Sequence, residues 1–296
     1  MMEEVVGPVN YPDGPVELNG QTWYASYTDD TVSWLSDDRM TSGSIPLPAG
    51  SGPAGMGVDG DGRPVVCCYD AHLLRDVRTL RPLARIPFPN DVVYDAVGGG
   101  VFVTSSGAEG SDDPFQPDAP ASGQVYYVPG GALLPRPIKY ANGLAVTSGG
   151  TTLLVAEHFR NRVLAYDIVR CGVDGACVRL ERERVLVDLP PPPPMPMPPV
   201  GSLQDSARFA GPDGMCIFRG PGGRDHLMVT QFGAGRVIEY AISSNVMEAS
   251  EVRTRMMADA PFVTNVHVSA DGRFLVSAFR DAVSQVGALY SSSVSM

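Results

Sequence analysis

Six times along this chain a turn leads into a short apolar run, a second turn and another apolar run. The clearest copy is Ala141-Asn142-Gly143-Leu144-Ala145-Val146, the turn Ser148-Gly149-Gly150, and Leu153-Leu154-Val155-Ala156-Glu157. Its turn chemistry and aliphatic runs predict a β-hairpin. The copies begin at Asp13, Ala54, Asn90, Asn142, Asp213 and Asn265. A strand-only repeat of roughly 40–50 residues predicts propeller blades, with insertions where the spacing is longer. Third runs, such as Arg162-Val163-Leu164-Ala165-Tyr166 and Arg236-Val237-Ile238-Glu239-Tyr240, extend the hairpins. The expectation is an all-β, six-bladed β-propeller forming one domain over residues 1–296.

The 33 glycines and 27 prolines suit a chain with many turns. One block stands apart: Leu189 to Pro199 carries a run of prolines that cannot donate to a ladder. It predicts a loop insertion at about 189–200 in exposed polyproline form, a role as ligand for a partner domain being the less favoured reading. The Asp59-Gly60-Asp61-Gly62 run lacks the later ligands of a calcium loop and reads as a turn.

A net charge of −11 repels phosphate backbones and anionic membranes, so nucleic acid is excluded as a partner. No apolar run approaches the roughly 18 residues of a membrane span, and Met1-Met2-Glu3-Glu4 is acidic where a signal peptide is basic. The expectation is a cytoplasmic protein with no membrane partner. Of five cysteines, Cys67 and Cys68 read as buried thiols, while Cys171 and Cys177 flank a hairpin tip where a cross-strand pair is conceivable. In a reducing compartment that pair stays open.

In a propeller the first strand of each blade lines the central channel, so the residues that open the first strands converge on one mouth. The second strands run back to the same mouth and bring Tyr27, Tyr69, Thr104, Ser105, Glu157, His158, Gln231 and Phe279 around it. Asp13, Asn90, Asn142 and Asp213 then offer two carboxylates and two amides. That oxygen set suits a hard divalent cation, Ca²⁺ first, with Mg²⁺ or Mn²⁺ next. The same residues are also common turn formers, which leaves both readings open at this point.

The phrases Pro89-Asn90-Asp91-Val92-Val93, Ala141-Asn142-Gly143-Leu144-Ala145-Val146 with Leu153-Leu154-Val155-Ala156-Glu157, and Gly211-Pro212-Asp213-Gly214-Met215 with Gly233-Ala234-Gly235-Arg236-Val237 resemble the senescence marker protein/gluconolactonase/luciferin-regenerating enzyme family. The resemblance spans about Pro12 to Tyr290 and implies a six-bladed propeller with a divalent metal, commonly calcium or zinc, at the channel mouth. Lactone hydrolysis is the activity it implies. By position, Asn90, Asn142 and Asp213 match the family's ligands. Asp13, in Asp13-Gly14-Pro15-Val16, stands where the family has a glutamate, with Glu17 a weaker candidate. Phe88 occupies a position where sugar-lactonase members often carry arginine, which shifts the expected substrate from a sugar lactone toward a more apolar cyclic ester.

The expected chemistry is hydrolysis of a small-molecule lactone or ester. The metal polarises the carbonyl, Asp213 is the general base, and His158 or Glu157 protonates the leaving alkoxide. Tyr27, Tyr69, Thr104, Ser105, Gln231 and Phe279 are the expected substrate-binding residues. Three rival readings are a phosphotriesterase-like hydrolase, a strictosidine-synthase-like propeller, and a non-catalytic calcium-binding module.

Overall fold

The computed structural model describes residues 2–111, 114–171, 177–192, 209–257, 259–269, 271–281 and 283–293. Among the described residues the strands form six antiparallel sheets, five with four strands and one with three; in five of them hydrogen-bonded neighbours follow one another in sequence, and in the sixth a strand from the start of the chain joins three from its end. The innermost strands are Pro12–Leu18, Pro53–Val58, Pro89–Tyr94, Ala141–Val146, Gly211–Arg219 and Phe262–Val268. Each contacts the innermost strand of the next blade, and the first and last contact each other, so the ring closes around a channel. The expected six-bladed propeller is the fold observed.

Closure is made by a pairing that local sequence patterns do not reveal. The segment Glu3–Asn10 is the outermost strand of the sixth blade, paired with Val286–Ser293 from the other end of the chain. Outer strands at Ser42–Pro46, Pro82–Arg85, Cys177–Asp188 and Ala249–Met256 also go beyond the sequence reading, because their alternating, largely exposed residues carry little apolar signal. The third blade has three strands, and its second and third are joined by the 106–123 segment.

Apolar packing lies between blades. Val16, Trp23 and Val32 of the first blade meet Met56, Val66 and Cys68 of the second. Phe102, Val125 and Tyr127 of the third meet Leu144, Val155 and Tyr166 of the fourth. Each sheet therefore buries both faces, which is why its central strands are nearly continuously apolar. Cys67 and Cys68 are buried thiols, as expected, whereas Cys171 and Cys177 are joined by a disulfide across their hairpin rather than left open. The proline-rich block falls mostly outside the described residues. Its start is held in place by Gln231 and Arg236, which donate to the Pro190 carbonyl.

Two backbone devices shape the channel mouth. In every blade the pairing of the first and second strands slips just after the strand entrance; in the fifth, Pro212 faces Gln231 but Met215 faces Val229, three residues against two. Such a bulge re-aims side chains at the strand start. Below it, neighbouring inner strands come so close that a Cβ on Gly143 would lie 2.1 Å from the Asp213 carbonyl oxygen, and one on Gly214 2.1 Å from Asn265 Oδ1. Glycine at these positions permits the narrow ring.

Candidate functional site at the channel mouth

A cavity of about 290 Å³ opens at the mouth, lined by Asp13, Asn90, Asn142 and Asp213 together with Tyr11, Tyr27, Ala54, Tyr69, Phe115, Tyr140, Phe232 and Gln285. The four side chains proposed as ligands from the sequence thus share one wall, contributed by four blades. They sit where the bulges turn successive residues toward the channel.

No Lys or Arg stands among the described residues of the wall, and its carboxylates lie close together. Burial pushes the Asp13 carboxyl up to about 6. Asp213 is raised well above the usual carboxylate range by burial, and then by the charges of Asp13 and Asp91. Asp91, one residue past Asn90, is pushed up to about 8 by burial and by Asp13. Asp91 faces the other way: its Oδ1 accepts from Val92 N and its Oδ2 from Leu144 N, and it lines a second cavity farther along the channel. Burial and the charges of Asp213 and Asp13 keep the Tyr11 phenol protonated.

A divalent cation fits this donor set. Asn142 Oδ1 is buried and has no hydrogen-bond partner. Its amide nitrogen lies 3.3 Å from His158 Nδ1. An orphaned carbonyl oxygen beside two like-charged buried carboxylates is costly unless a cation meets them. Among the described residues no group of three or more His, Cys, Asp or Glu converges as a metal site. The set at the mouth is instead two carboxylates and two amides, oxygen ligands that suit a hard cation. Asn90 is held by Nδ2, which donates to Ser106 Oγ at 3.1 Å and to the Tyr140 hydroxyl at 3.5 Å.

The structure leads several expected site residues elsewhere. Glu157 is fully buried but outside the cavity wall; its carboxylate accepts from Lys139 N and pairs with Arg162 at 2.6 Å. His158 is likewise buried, with Nε2 2.9 Å from the Phe209 carbonyl oxygen and Nδ1 3.0 Å from that of Pro212. Burial lowers its imidazole to about 4. Its ring contacts Asn142 and is not part of the cavity wall. Thr104 donates to the backbone of Asp91, and Ser105 to the carbonyls of Pro87 and Gly107. Gln231 binds Asn161 and Pro190, and Phe279 stacks on Phe262 at 4.9 Å behind the wall. Glu17 pairs with Arg273 and is not in the wall.

Tyr27 and Tyr69 do line the cavity, and a shared geometry explains which positions reach it. Tyr27 N donates to the Tyr11 carbonyl, Tyr69 N to that of Gly52, Ser106 N to that of Phe88, and His158 N to that of Tyr140. Gly211 pairs with Phe232 in the corresponding place. Of these equivalent positions Tyr27, Tyr69 and Phe232 line the cavity, Phe232 one place beyond the residue chosen from the sequence, whereas Ser106 and His158 are buried behind the wall. Tyr11, Phe88 and Tyr140, each two residues before a polar marker, have left-handed backbones with φ of 46°, 41° and 61°. Non-glycine residues held this way are uncommon and gather at functional sites. The pattern aromatic-x-Asp/Asn is the signal that could have marked Tyr11 and Tyr140. Phe88 packs on Tyr69 at 5.4 Å, so the position read from the sequence as an arginine replacement buttresses the wall.

A family model described as SMP-30/Gluconolactonase/LRE-like region matches residues 11–265. None of the curated proteins matches this chain in sequence. Among solved structures, a luciferin-regenerating enzyme is similar at 16% identity with a TM-score of 0.71, the match covering 100% of this chain and 95% of that one. A gluconolactonase from Xanthomonas campestris is similar at 17% identity with a TM-score of 0.67, covering 98% and 88%. A calcium-binding protein, regucalcin, from Agrobacterium tumefaciens is similar at 16% identity with a TM-score of 0.67, covering 96% and 90%. At these identities the three share the fold.

Proposed function

Because this chain belongs to the SMP-30/gluconolactonase/LRE-like family, we propose that it is a lactone hydrolase whose site at the channel mouth holds one divalent cation, calcium foremost. The observation that carries the reading is the unpartnered Asn142 Oδ1 beside Asp13 and Asp213 in one cavity. Asp13, Asn90, Asn142 and Asp213 would hold the ion, and when bound it supplies Lewis-acid polarisation of the ester carbonyl.

The chain's own groups perform the proton chemistry. Asp213, on the cavity wall, accepts a proton from the attacking water. The water oxygen bonds to the acyl carbon and the ring C–O bond breaks. The alkoxide takes back the proton from Asp213, so one water is consumed and one hydroxy acid is formed. This assignment moves the acid role from His158 and Glu157 to Asp213, because neither of those side chains lines the cavity. Tyr11, neutral and on the wall, is the phenol placed to orient the substrate.

The test is proton release from a lactone panel, measured with added calcium and with chelator. Turnover that is lost with chelator, restored by cation and absent in Asp213→Asn supports the reading. A wild-type protein that binds the cation but opens no lactone points to the calcium-binding module, and turnover indifferent to chelator removes the metal from the mechanism.

A further inference from the structure

Apart from Ala54 and the five polar side chains of Asp13, Asn90, Asn142, Asp213 and Gln285, the cavity wall is aromatic. Tyr11, Tyr27, Tyr69, Phe115, Tyr140 and Phe232 supply six rings. The two sides of the cavity differ in how they are made. Tyr11, Tyr27 and Tyr69 form a chain of contacts at 5.1 and 6.4 Å. Opposite them, Phe115 meets Tyr140 edge-on at 5.2 Å and Phe232 at 5.8 Å with perpendicular rings. Phe115 does not come from a strand. It belongs to the 106–123 segment of the three-stranded blade, and although that segment is a loop it is partly buried, packed against Phe232, Phe262 and Phe279.

This surface is poorly suited to a polyol. A sugar lactone needs donors and acceptors on most of its faces, because unmet hydroxyls are costly in a closed site. Here the Tyr27 hydroxyl donates to Asp70 Oδ1 at 2.9 Å and the Tyr140 hydroxyl to that of Tyr69 at 3.4 Å. No Lys or Arg is among the described residues of the wall. Flat rings, by contrast, meet other rings favourably in edge-to-face or offset contact. At about 290 Å³ the cavity is at the small end of ligand sites, enough for a compact bicyclic molecule.

We propose that the site selects an uncharged lactone or ester bearing a fused or attached aromatic ring, and that Phe115 is a specificity-determining residue that packs on that ring. The inference rests on the hydrolase reading and narrows its substrate. The ester end faces Asp13, Asn142 and Asp213, and the ring faces the Phe115 side.

The experiment compares dihydrocoumarin, δ-valerolactone and gluconolactone on calcium-loaded wild type, Phe115→Ala and Phe115→Tyr. Thermal melts confirm that each variant is folded. In parallel, calorimetry follows binding of the lactam analogue of dihydrocoumarin, which keeps the ring but resists hydrolysis. The expected result is kcat/KM highest for dihydrocoumarin, with a preference over δ-valerolactone on the order of 10- to 200-fold, the range of an apolar specificity contact. Phe115→Ala erases most of that preference and Phe115→Tyr retains it. Equal or better turnover of gluconolactone overturns the ring selection and leaves the hydrolase reading standing. If no lactone is opened but the lactam binds in a Phe115-dependent way, the hydrolase reading fails and the ring selection holds. Neither turnover nor lactam binding overturns both.

Discussion

The amide nitrogen of Asn142 lies 3.3 Å from Nδ1 of His158, while the oxygen at the other end of that amide has no hydrogen-bond partner. With Nε2–H donating to the Phe209 carbonyl, Nδ1 accepts from Asn142 and fixes which end of the amide faces the cavity. The histidine acts on the site through the asparagine. Partners of this kind typically change metal affinity by roughly 10–100-fold when removed. His158→Ala is therefore expected to weaken calcium binding by about that factor while leaving kcat at saturating calcium close to wild type. Calorimetry and turnover against calcium concentration check it. A drop in kcat that saturating calcium does not repair would return His158 to a direct role in proton transfer.

The carboxylates at the mouth are expected to make function and stability oppose each other. Asp213 is buried, near Asp13, and strained by that company in the metal-free protein. Asp213→Asn keeps the shape and removes one charge. Metal-free Asp213→Asn should be more stable than metal-free wild type by about 0.5–2 kcal/mol, the common yield of relieving such a site. It should also lose turnover by roughly 10²–10⁴-fold, as expected for a missing general base. Urea denaturation after chelation and the lactone assay read the two effects separately.

The same groups set a pH dependence whose sign follows from linkage. An unfolded aspartate ionises near 3.8, whereas in the folded chain Asp13 is pushed up to about 6 and Asp91 to about 8. The folded state thus keeps protons that the unfolded chain has released. Stability from this cluster is complete below the unfolded value and is lost as pH rises through about 6 and then about 8. In chelated protein the denaturation midpoint should fall across that window, measured as the difference from a variant carrying Asp13→Asn and Asp91→Asn. Saturating calcium should flatten the fall. A midpoint difference that rises with pH would contradict a cluster lacking compensation.

Much of this was written in short-range pattern. The hairpin repeat foretold the blades, and Asp13, Asn90, Asn142 and Asp213 were visible because each opens an apolar strand after a turn. What escaped depends on register and distance. A one-residue slip decides whether Gln231 or Phe232 faces the mouth, and alternation alone does not reveal it. His158 was placed at the right strand end, but that its ring lies against Asn142 and the Phe209 and Pro212 carbonyls shows only in the three-dimensional fold. Phe115 lies in a loop with no periodicity, and the pairing of Glu3–Asn10 with Val286–Ser293 joins opposite ends of the chain. Neither leaves a local trace.

The narrow channel beneath the site yields the last prediction. Gly214 follows Asp213 directly, and a Cβ there would lie 2.1 Å from Asn265 Oδ1 and 2.6 Å from the Asn265 Cα. Asn265 cannot simply swing aside, because its Oδ1 accepts from Val266 N at 2.8 Å and its own N–H donates to Ser277 Oγ. Gly214→Ala must push the fifth and sixth inner strands apart, an overpacking cost of roughly 1–3 kcal/mol. Because the displaced backbone carries Asp213, calcium affinity should fall together with stability. Gly222→Ala provides the control: no heavy atom lies within 4 Å of its Cβ position, so it carries only the local strain of its φ of 73° and should leave calcium affinity unchanged. Calorimetric titration of both variants at a temperature where both are folded separates a local loss at the mouth from a general loss of stability.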